Sequence, residues 1–241
     1  MDLGIDGRVA LVTASSKGLG RASALALADE GCKLVVCARG EDALRATEKA
    51  LAERTEVLAI VDDVTEPAAP RRLVEATVER FGSIDILVPN AGGPPPALAL
   101  EFDDEQLATA LNNNLTTSIR LVREAVPHMC AKKWGRICCI TSSSVKQPIP
   151  TLAMSNVART ALWAWIKTAA QELFPDGITI NTAAPGSHAT DRMRELGGGN
   201  TEGMGDPEHF GQVVAFLCSR PATYITGVAL QVDGGATLGL L

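Results

Sequence analysis

The sequence predicts a single α/β domain in which a doubly wound parallel sheet lies between two layers of helices. Short apolar runs alternate with helical patterns of ten or more residues along the 241-residue chain, which is typical of β-α-β units. Hydrophobic residues make up 46% of the chain but aromatic residues only 4%, and small aliphatic side chains suit helices packed closely on a buried parallel sheet. Neither a change of composition nor an internal repeat divides the sequence. Residues 1–241 are therefore expected to form one three-layer domain.

The first half of the chain contains the first four predicted strands. An apolar run at 8–13 predicts the first strand, and the Ala-rich pattern after it predicts a helix at 19–29 that Gly31 ends. Helices at 41–54 and 69–81 then separate strands at 33–38, 57–61 and 84–88.

The second half continues the alternation with longer helices. Helical periodicity predicts helices at 104–132, 151–173 and 207–218. The apolar runs between and after them predict strands at 136–141, 178–183 and 229–232. Residues 191–206 are rich in glycine and have no clear period, so we expect a mobile connection there.

Composition excludes several classes of protein. The formal charge of −6 and the pI near 5.2 argue against a general binder of nucleic acid or anionic membranes. No apolar run approaches the ~20 residues of a membrane span, and the N-terminus has no signal-peptide pattern, so a cytoplasmic protein is expected. The six cysteines are scattered without a C-x-x-C pair, which favours structural thiols over a metal site.

A loop of small residues lies between the first predicted strand and the first predicted helix. Its candidate cofactor-binding residues are Thr13, Ser15, Ser16, Lys17, Gly18, Leu19 and Gly20. Small residues let the backbone approach a pyrophosphate, and a helix N-terminus offers free N–H groups to the anion. The glycine spacing is not G-x-G-x-x-G, and an ordinary Ser/Gly turn is the alternative. The position between strand and helix favours a dinucleotide site.

The end of the second predicted strand indicates which dinucleotide is bound. NAD sites place an acidic residue there for the ribose hydroxyls, whereas the 2′-phosphate of NADP requires a cation. This strand ends in Arg39 with no acid before Gly40, and Lys17 lies in the loop. Unless both are simply solvated surface cations, they favour NADP over NAD.

Six motifs, in the same order, resemble those of the short-chain dehydrogenase/reductase family, nearest to its 3-oxoacyl-carrier-protein reductase branch. Residues 13–20 resemble T-G-x-x-x-G-x-G with Ala14 at the first glycine, and residues 89–92 resemble N-N-A-G with Pro89 at the first asparagine. The others are Asp63-Val64, Asn114-Leu115-Thr116, 185–190 and 232–235. The resemblance covers essentially the whole chain and implies a Rossmann-like fold. It also implies cofactor contacts from Asp63, Val64, Asn90, Ala91, Gly92, Pro185, Gly186 and Thr190.

The resemblance also implies a catalytic centre. In the family, a serine after the fifth strand precedes a Tyr-x-x-x-Lys pair, whose tyrosine gives a proton to the substrate carbonyl while hydride arrives from the nicotinamide. Here Ser142 keeps the serine place, but Ser155 stands at the tyrosine position and Arg159 at the lysine position. Asn114 matches the asparagine that holds the long helix open around a water. Arg159 is also expected to hold the cofactor ribose.

The substituted pair leaves the proton donor open. A serine hydroxyl is a far weaker acid than a phenol, whereas arginine stays protonated and can stabilise an oxyanion. Lys146, on a loop that should border the cleft, and His188, after Pro185-Gly186, are candidate replacements. The alternative for each is an ordinary surface residue.

Two functions therefore remain open at this level. The first is an NADP-dependent reductase of a small or carrier-tethered carbonyl compound, such as a 3-oxoacyl thioester or a polyketide-like ketone. The second is a non-redox protein on the same fold, either a cofactor-binding pseudoenzyme that regulates a partner or a dehydratase- or cyclase-type enzyme.

A short substrate lid is expected around 187–206. The helix at 151–173 is apolar on more than one face, and its counterpart in the family pairs with a second copy, so a homodimer or homotetramer is expected.

Overall fold

A computed structural model describes residues 1–197 and 202–240 and confirms the predicted fold class. Seven strands form one parallel sheet in the order β3-β2-β1-β4-β5-β6-β7. The strands are β1 (Val9–Thr13), β2 (Lys33–Ala38), β3 (Val57–Val61), β4 (Ile86–Val88), β5 (Gly135–Ile140), β6 (Ile178–Pro185) and β7 (Ala229–Val232). The order reverses between β1 and β4, where ligands bind in open sheets of this type.

Helices cover both faces of the sheet. They are α1 (Gly18–Asp29), α2 (Glu41–Ala52), α3 (Ala69–Phe81), α4 (Asp104–Leu111), α5 (Thr117–Cys130), α6 (Ala153–Leu173), α7 (Asp191–Glu195) and α8 (Pro207–Leu217). One buried cluster joins α1, α2 and α8 to the sheet, and a second joins α3, α5 and α6 to its other face. Because apolar side chains cover both faces, the strands are almost continuously apolar rather than alternating. None of the described helices is long and apolar enough to cross a lipid bilayer.

The continuous helix predicted at 104–132 is interrupted. A π-helical turn at Asn112–Thr116 separates α4 from α5, and the backbone N–H of Thr117 donates to the carbonyl of Asn112, five residues earlier. The hydroxyl of Thr117 donates to the same carbonyl at 2.8 Å. Apolar periodicity continues through the turn, which is why the sequence pattern did not reveal it. Single π turns of this kind are frequent at functional sites.

The segment predicted as a mobile connection at 191–206 contains ordered structure in its described part. Helix α7 occupies its first five residues, and a parallel bridge joins His188 to Gly205. Residues 198–201 of the expected lid at 187–206 lie outside the described residues. A five-residue helix is too short to show apolar periodicity, so the sequence pattern could not indicate it.

Close packing of α1 against α8 holds the loop before α1 in place, and this packing depends on Gly211. A Cβ atom at this position would lie 2.4 Å from the backbone oxygen of Ala22. We expect Gly211→Ala to lower the free energy of unfolding by about 1–3 kcal/mol through overpacking. Urea denaturation followed by circular dichroism measures the change. Gly40→Ala, which meets no atom within 4 Å, is the matched control, and equal midpoints for the two variants would contradict the prediction.

Candidate functional site

The loop after β1 is held by two side chains that the sequence assigned to cofactor binding. The Thr13 hydroxyl donates to the Asn90 carbonyl at 2.7 Å and accepts from the Asn90 N–H at 2.9 Å, which joins the ends of β1 and β4. The Ser15 hydroxyl donates to Val12 and accepts from the Cys37 N–H, which joins β1 to β2. Both side chains are 0% exposed, so their role in the protein alone is to shape the loop.

The glycines of this loop have distinct geometric roles. A Cβ at Gly20 would lie 2.5 Å from the Ala14 oxygen and 2.7 Å from Nδ2 of Asn90. Gly18 has a φ of +57°, and a Cβ there would meet the Thr190 methyl at 3.6 Å. Ala14 takes a φ of +46°, a left-handed conformation that favours glycine. This conformation explains why the family has glycine at that position.

The loops after β4 and β6 meet the loop after β1 at the carboxyl edge of the sheet. Asn90 donates from Nδ2 to the Ala14 carbonyl at 3.2 Å, while Gly92 is exposed and would find nothing within 4 Å of an added Cβ. Gly186, after Pro185, is packed so closely that a Cβ would lie 2.7 Å from Cβ of Asp233. The structure therefore brings the predicted residues of these three loops to one edge.

The ends of β2 and β3 form the outer part of this cleft. Arg39 pairs with Asp63 at 3.7 Å, and the Arg39 side chain is 77% exposed. Burial alone would raise the pKa of Asp63, but hydrogen bonds from Thr65 and the charge of Arg39 hold it below its ordinary value. Val64 is buried in the core. A pair as exposed as Arg39–Asp63 is weak, so Arg39 can turn toward an anion.

The cleft fits a dinucleotide on these observations. An open space lies above Gly92, the tightly packed Gly20 allows close backbone approach, and the Ser16 carbonyl is fixed by the Thr47 hydroxyl at 3.1 Å. Lys17 is exposed, and its ammonium lies 3.8 Å from Glu195. Arg39 is also exposed. Both cations are thus available to the phosphate groups of a dinucleotide.

Ser142, Ser155 and Arg159 meet at the end of β5. Arg159 donates from Nε to the Ser155 hydroxyl oxygen at 3.2 Å, and its Nη1 donates to the carbonyls of Ile140 and Thr141 at 3.0 Å each. The Ser142 hydroxyl accepts from the Ser144 N–H at 3.1 Å. Burial, and secondly the charge of Arg192, lower the pKa of Arg159 to about 10. The guanidinium therefore remains charged at neutral pH.

These contacts leave three hydrogen-bond donors of the centre without an acceptor among the described residues. Both serine oxygens already accept a protein hydrogen bond, and neither hydroxyl proton goes to an acceptor within residues 1–197 and 202–240. Nη2 of Arg159 likewise has no acceptor among the described residues. The centre can therefore donate to a carbonyl oxygen or to an oxyanion.

Asn114 lies in the π turn that packs against α6. Its side chain is 3% exposed and donates from Nδ2 to the Ala110 carbonyl at 3.3 Å. Its Oδ1 atom is buried and has no hydrogen-bond partner among residues 1–197 and 202–240. A buried amide oxygen without a partner is the usual place for an ordered water. Asn112 anchors the same turn, because its Nδ2 donates to the Thr65 carbonyl at 3.1 Å.

The two candidate replacement donors each contact an aromatic ring. The Lys146 ammonium lies 4.1 Å from the centroid of the Trp163 ring, one helical turn beyond Arg159 on α6. His188 is 4% exposed and packs edge-on against Phe210 with ring centroids 5.2 Å apart. Its Nδ1 atom lies at hydrogen-bond distance, 3.2 Å, from the Gly186 carbonyl oxygen. Tyr224, which is distant in the sequence from Ser155 and Arg159, is 89% exposed and contacts Phe174.

Two residues at the cleft were missed by the sequence analysis. Arg192 of α7 donates from Nη2 to the Pro94 carbonyl at 2.6 Å and would lie 3.4 Å from a Cβ at Gly93. Glu195, on the same helix, pairs with both Arg192 and Lys17. Helix α7 thus connects the loops after β1 and β4. No local pattern in the Gly-rich segment could have indicated this contact.

The thiols contribute to the core rather than to this site. Burial raises the pKa of Cys32 and Cys37 to about 12, so these thiols stay protonated. In the part of the chain that the structure describes, no group of three or more His, Cys, Asp or Glu side chains is arranged to hold a metal ion.

The sequence of the chain is similar to those of known reductases. Residues 13–237 match the family model described as enoyl-(acyl carrier protein) reductase. The 3-oxoacyl-(acyl-carrier-protein) reductase FabG of Vibrio cholerae is 33% identical over 97% of this chain and 98% of its own length. FabG of Escherichia coli is 34% identical over the same shares.

The fold of the chain is also similar to the solved structures of two reductases. L-sorbose reductase from Gluconobacter frateurii, complexed with NADPH and L-sorbose, superposes with a TM-score of 0.93 at 33% identity, and all of each chain is covered. A variant of actinorhodin polyketide ketoreductase with NADPH gives 0.87 at 31% identity, covering 95% of this chain and 97% of that one.

Proposed function

The chain belongs to the short-chain dehydrogenase/reductase family, and on that premise we propose that it is an NADP-dependent reductase of a carbonyl compound. The observation that carries the proposal is the convergence of Ser142, Ser155 and Arg159 at the carboxyl end of β5, beside an open dinucleotide cleft. The substrate class that we propose is a 3-oxoacyl thioester or a polyketide-like ketone, small or tethered to a carrier. The reductases of these two classes among its relatives support this choice.

NADP is favoured over NAD by the charges of the cleft. Arg39 is the exposed cation at the end of β2, and Lys17 is exposed at the start of α1. Guanidinium and ammonium groups suit a phosphate dianion, and no acidic residue ends β2. Two structurally similar reductases are described in complex with NADPH, which supports the same cofactor here.

When bound, the cofactor supplies the hydride, and the protein side chains handle the substrate oxygen. The hydroxyls of Ser142 and Ser155 donate to that oxygen and orient the carbonyl. The Arg159 charge stabilises the oxyanion that develops there, as preorganised donors do where negative charge develops in a transition state. Nη2 of Arg159 is the donor left over for a ribose hydroxyl. Asn114 holds a water in the π turn.

The proton that completes the alcohol arrives through Ser155. Because the Arg159 guanidinium donates to the Ser155 oxygen, it polarises that hydroxyl and strengthens it as a donor. Water in the cleft then restores the Ser155 proton. Lys146 and His188 are poor candidates for this role, since one lies on Trp163 and the other is buried against Phe210. A serine is a weaker acid than a tyrosine, so a slow reductase is expected.

The first experiment measures cofactor binding and turnover separately. Calorimetric titration with NADPH and NADH gives the affinities, and a panel of ketones and 3-oxoacyl thioesters is then tested for NADPH oxidation. Tight NADPH binding with turnover of at least one ketone supports the proposal. Tight binding without any turnover would favour a cofactor-binding pseudoenzyme. Absence of binding to either dinucleotide would favour a non-redox enzyme of the dehydratase or cyclase type.

The preference for NADP is expected to depend on Arg39. Arg39→Ala should weaken NADPH binding about tenfold, the scale of a lost hydrogen bond to a charged group, and leave NADH binding unchanged. Calorimetry with both cofactors measures this. Arg45→Ala, which removes an exposed arginine paired with Glu41 and Glu48 on α2, is the control and should change neither affinity. An equal loss of NADPH and NADH affinity would show that Arg39 does not read the 2′-phosphate.

We also propose that α6 mediates a homodimer or homotetramer. Its inner face buries Leu162 and Ile166 in the core, while Val157 on another face is 49% exposed. An apolar residue exposed on a helix that is already half buried favours a contact with a second copy. Sedimentation analysis of the protein with and without Val157→Glu tests this arrangement.

A further inference from the structure

The centre formed by Ser142, Ser155 and Arg159 presents unused hydrogen-bond donors and positive charge to the cleft. Nη2 of Arg159 and the hydroxyl protons of Ser142 and Ser155 have no acceptor among the described residues. Besides burial, the charge of Arg192 lowers the pKa of Arg159. A neutral ketone needs one or two donors and no second cation.

Arg192 supplies that second cation from the opposite side of the cleft. Its Nη2 donates to the Pro94 carbonyl at 2.6 Å, which places the guanidinium over Gly93 in the loop after β4. Arg159 is fixed to the end of β5, and β4 and β5 are neighbouring strands of the sheet. The two guanidinium groups therefore approach the same cleft from α7 and α6.

The ion pairs that Arg192 makes within the protein are weak enough for its positive charge to bind a ligand. Its Nη1 lies 3.6 Å from Glu195, but this carboxylate also pairs with Lys17 at 3.8 Å and its side chain is 56% exposed. Asp191, the other acid of α7, pairs with Arg194 instead. Pairs as long and as exposed as these contribute little, so a ligand anion can compete for Arg192.

We propose that the substrate carries a carboxylate in addition to its reacting carbonyl, and that Arg192 binds this carboxylate beside the centre formed by Ser142, Ser155 and Arg159. The proposal rests on the reductase function and narrows its substrate class to oxo acids. Arg192 is the specificity-determining residue in this scheme. A guanidinium matches a carboxylate with two parallel hydrogen bonds, which gives both affinity and orientation. The Ser142 and Ser155 hydroxyls remain free for the carbonyl oxygen.

The test compares oxo acids with their methyl esters, which differ only in the negative charge. Three pairs with different spacings are used: pyruvate, acetoacetate and levulinate, each against its methyl ester, with saturating NADPH. For at least one pair, kcat/KM for the acid should exceed that for the ester. Arg192→Met should lower kcat/KM for that acid about 10- to 100-fold, the scale of a lost charge-assisted pair, and lower kcat/KM for the ester much less. Arg194→Met, on the same helix and exposed, is the matched control and should change neither.

Two results would overturn the proposal while leaving the reductase function intact. One is an ester reduced as fast as its acid in all three pairs. The other is an Arg192→Met variant whose NADPH affinity falls as much as its activity, because Arg192 would then bind a phosphate of the cofactor.

A binding measurement keeps the proposal testable if none of these compounds is reduced. Malonate, an unreactive dicarboxylate, is titrated by calorimetry into the NADPH complex of the wild type and of Arg192→Met. Binding that is weakened by the substitution supports the carboxylate site even where the reductase function fails. Equal binding in the two proteins, or none in either, overturns it. Inorganic phosphate is titrated in parallel, and a preference for phosphate over malonate would also count against a carboxylate.

Discussion

The double variant Ser155→Tyr/Arg159→Lys is expected to reduce ketones about 10²–10⁴ times faster than the wild type, the usual contribution of a positioned general acid. Ser155 and Arg159 stand four residues apart on α6, and Nε of Arg159 already contacts the Ser155 oxygen at 3.2 Å. Ser155 and Arg159 thus have the spacing of a Tyr-x-x-x-Lys pair, and on the proposed function only the acid is missing. A phenol is a much stronger acid than a serine hydroxyl, and a lysine beside it lowers its pKa further.

The measurement is kcat for NADPH oxidation with a ketone that the wild type turns over. Ser155→Phe/Arg159→Lys is the matched control, because it has the same bulk at position 155 but no hydroxyl, and it should stay at or below the wild-type rate. Ser155 is 7% exposed, so thermal unfolding of both variants is recorded to show that the larger ring is accommodated. If the tyrosine variant folds and binds NADPH but is no faster than the phenylalanine variant, the missing acid is not what limits this enzyme.

Gly20→Ala is expected to weaken NADPH binding about 10- to 100-fold, which corresponds to an overpacking cost of about 1–3 kcal/mol placed on the loop that receives the phosphates. The new Cβ would lie 2.5 Å from the Ala14 carbonyl oxygen and 2.7 Å from Nδ2 of Asn90. One of these atoms is backbone, and the other is hydrogen-bonded to it at 3.2 Å. Relief of the clash must therefore move the loop itself.

Two glycine variants separate this effect from a general loss of stability. Gly40→Ala meets no atom within 4 Å and should keep both stability and affinity. Gly211→Ala crowds the contact between α1 and α8, so it should lower stability with little change in affinity at a temperature where the protein is folded. An unchanged affinity in Gly20→Ala would show that the loop has more freedom than its close contacts indicate.

Sequence patterns predicted most of the fold because the relevant signals are local. Continuous apolar runs indicated β1 and β2, since strands covered on both faces need apolar residues at every position. The small residues between β1 and α1 indicated a phosphate-binding loop, since backbone approach requires them. The four-residue spacing of Ser155 and Arg159 on one helix likewise placed both side chains on one side of α6.

Contacts between distant segments could not be predicted in this way. The sequence assigned Thr13 and Ser15 to the cofactor-binding loop, and only the structure shows that their side chains are buried in hydrogen bonds that join strands. It offered Lys146 and His188 as proton donors, and only the structure shows that Lys146 lies on Trp163 and that His188 packs against Phe210. A residue type and a position in the chain do not specify which neighbour a side chain will meet after folding.

By itself, the sequence determined the parallel sheet, and it predicted the cofactor loop and the pairing of Ser155 with Arg159 on one helix. Tertiary structure alone decided what surrounds that pair. Arg192 reaches the Pro94 carbonyl across 98 residues of chain, and the π turn sets Asn114 beside α6. Periodicity and propensity act over a few residues, whereas the charge of a cleft is the sum of side chains that only the packing of α6, α7 and the β4 loop brings together.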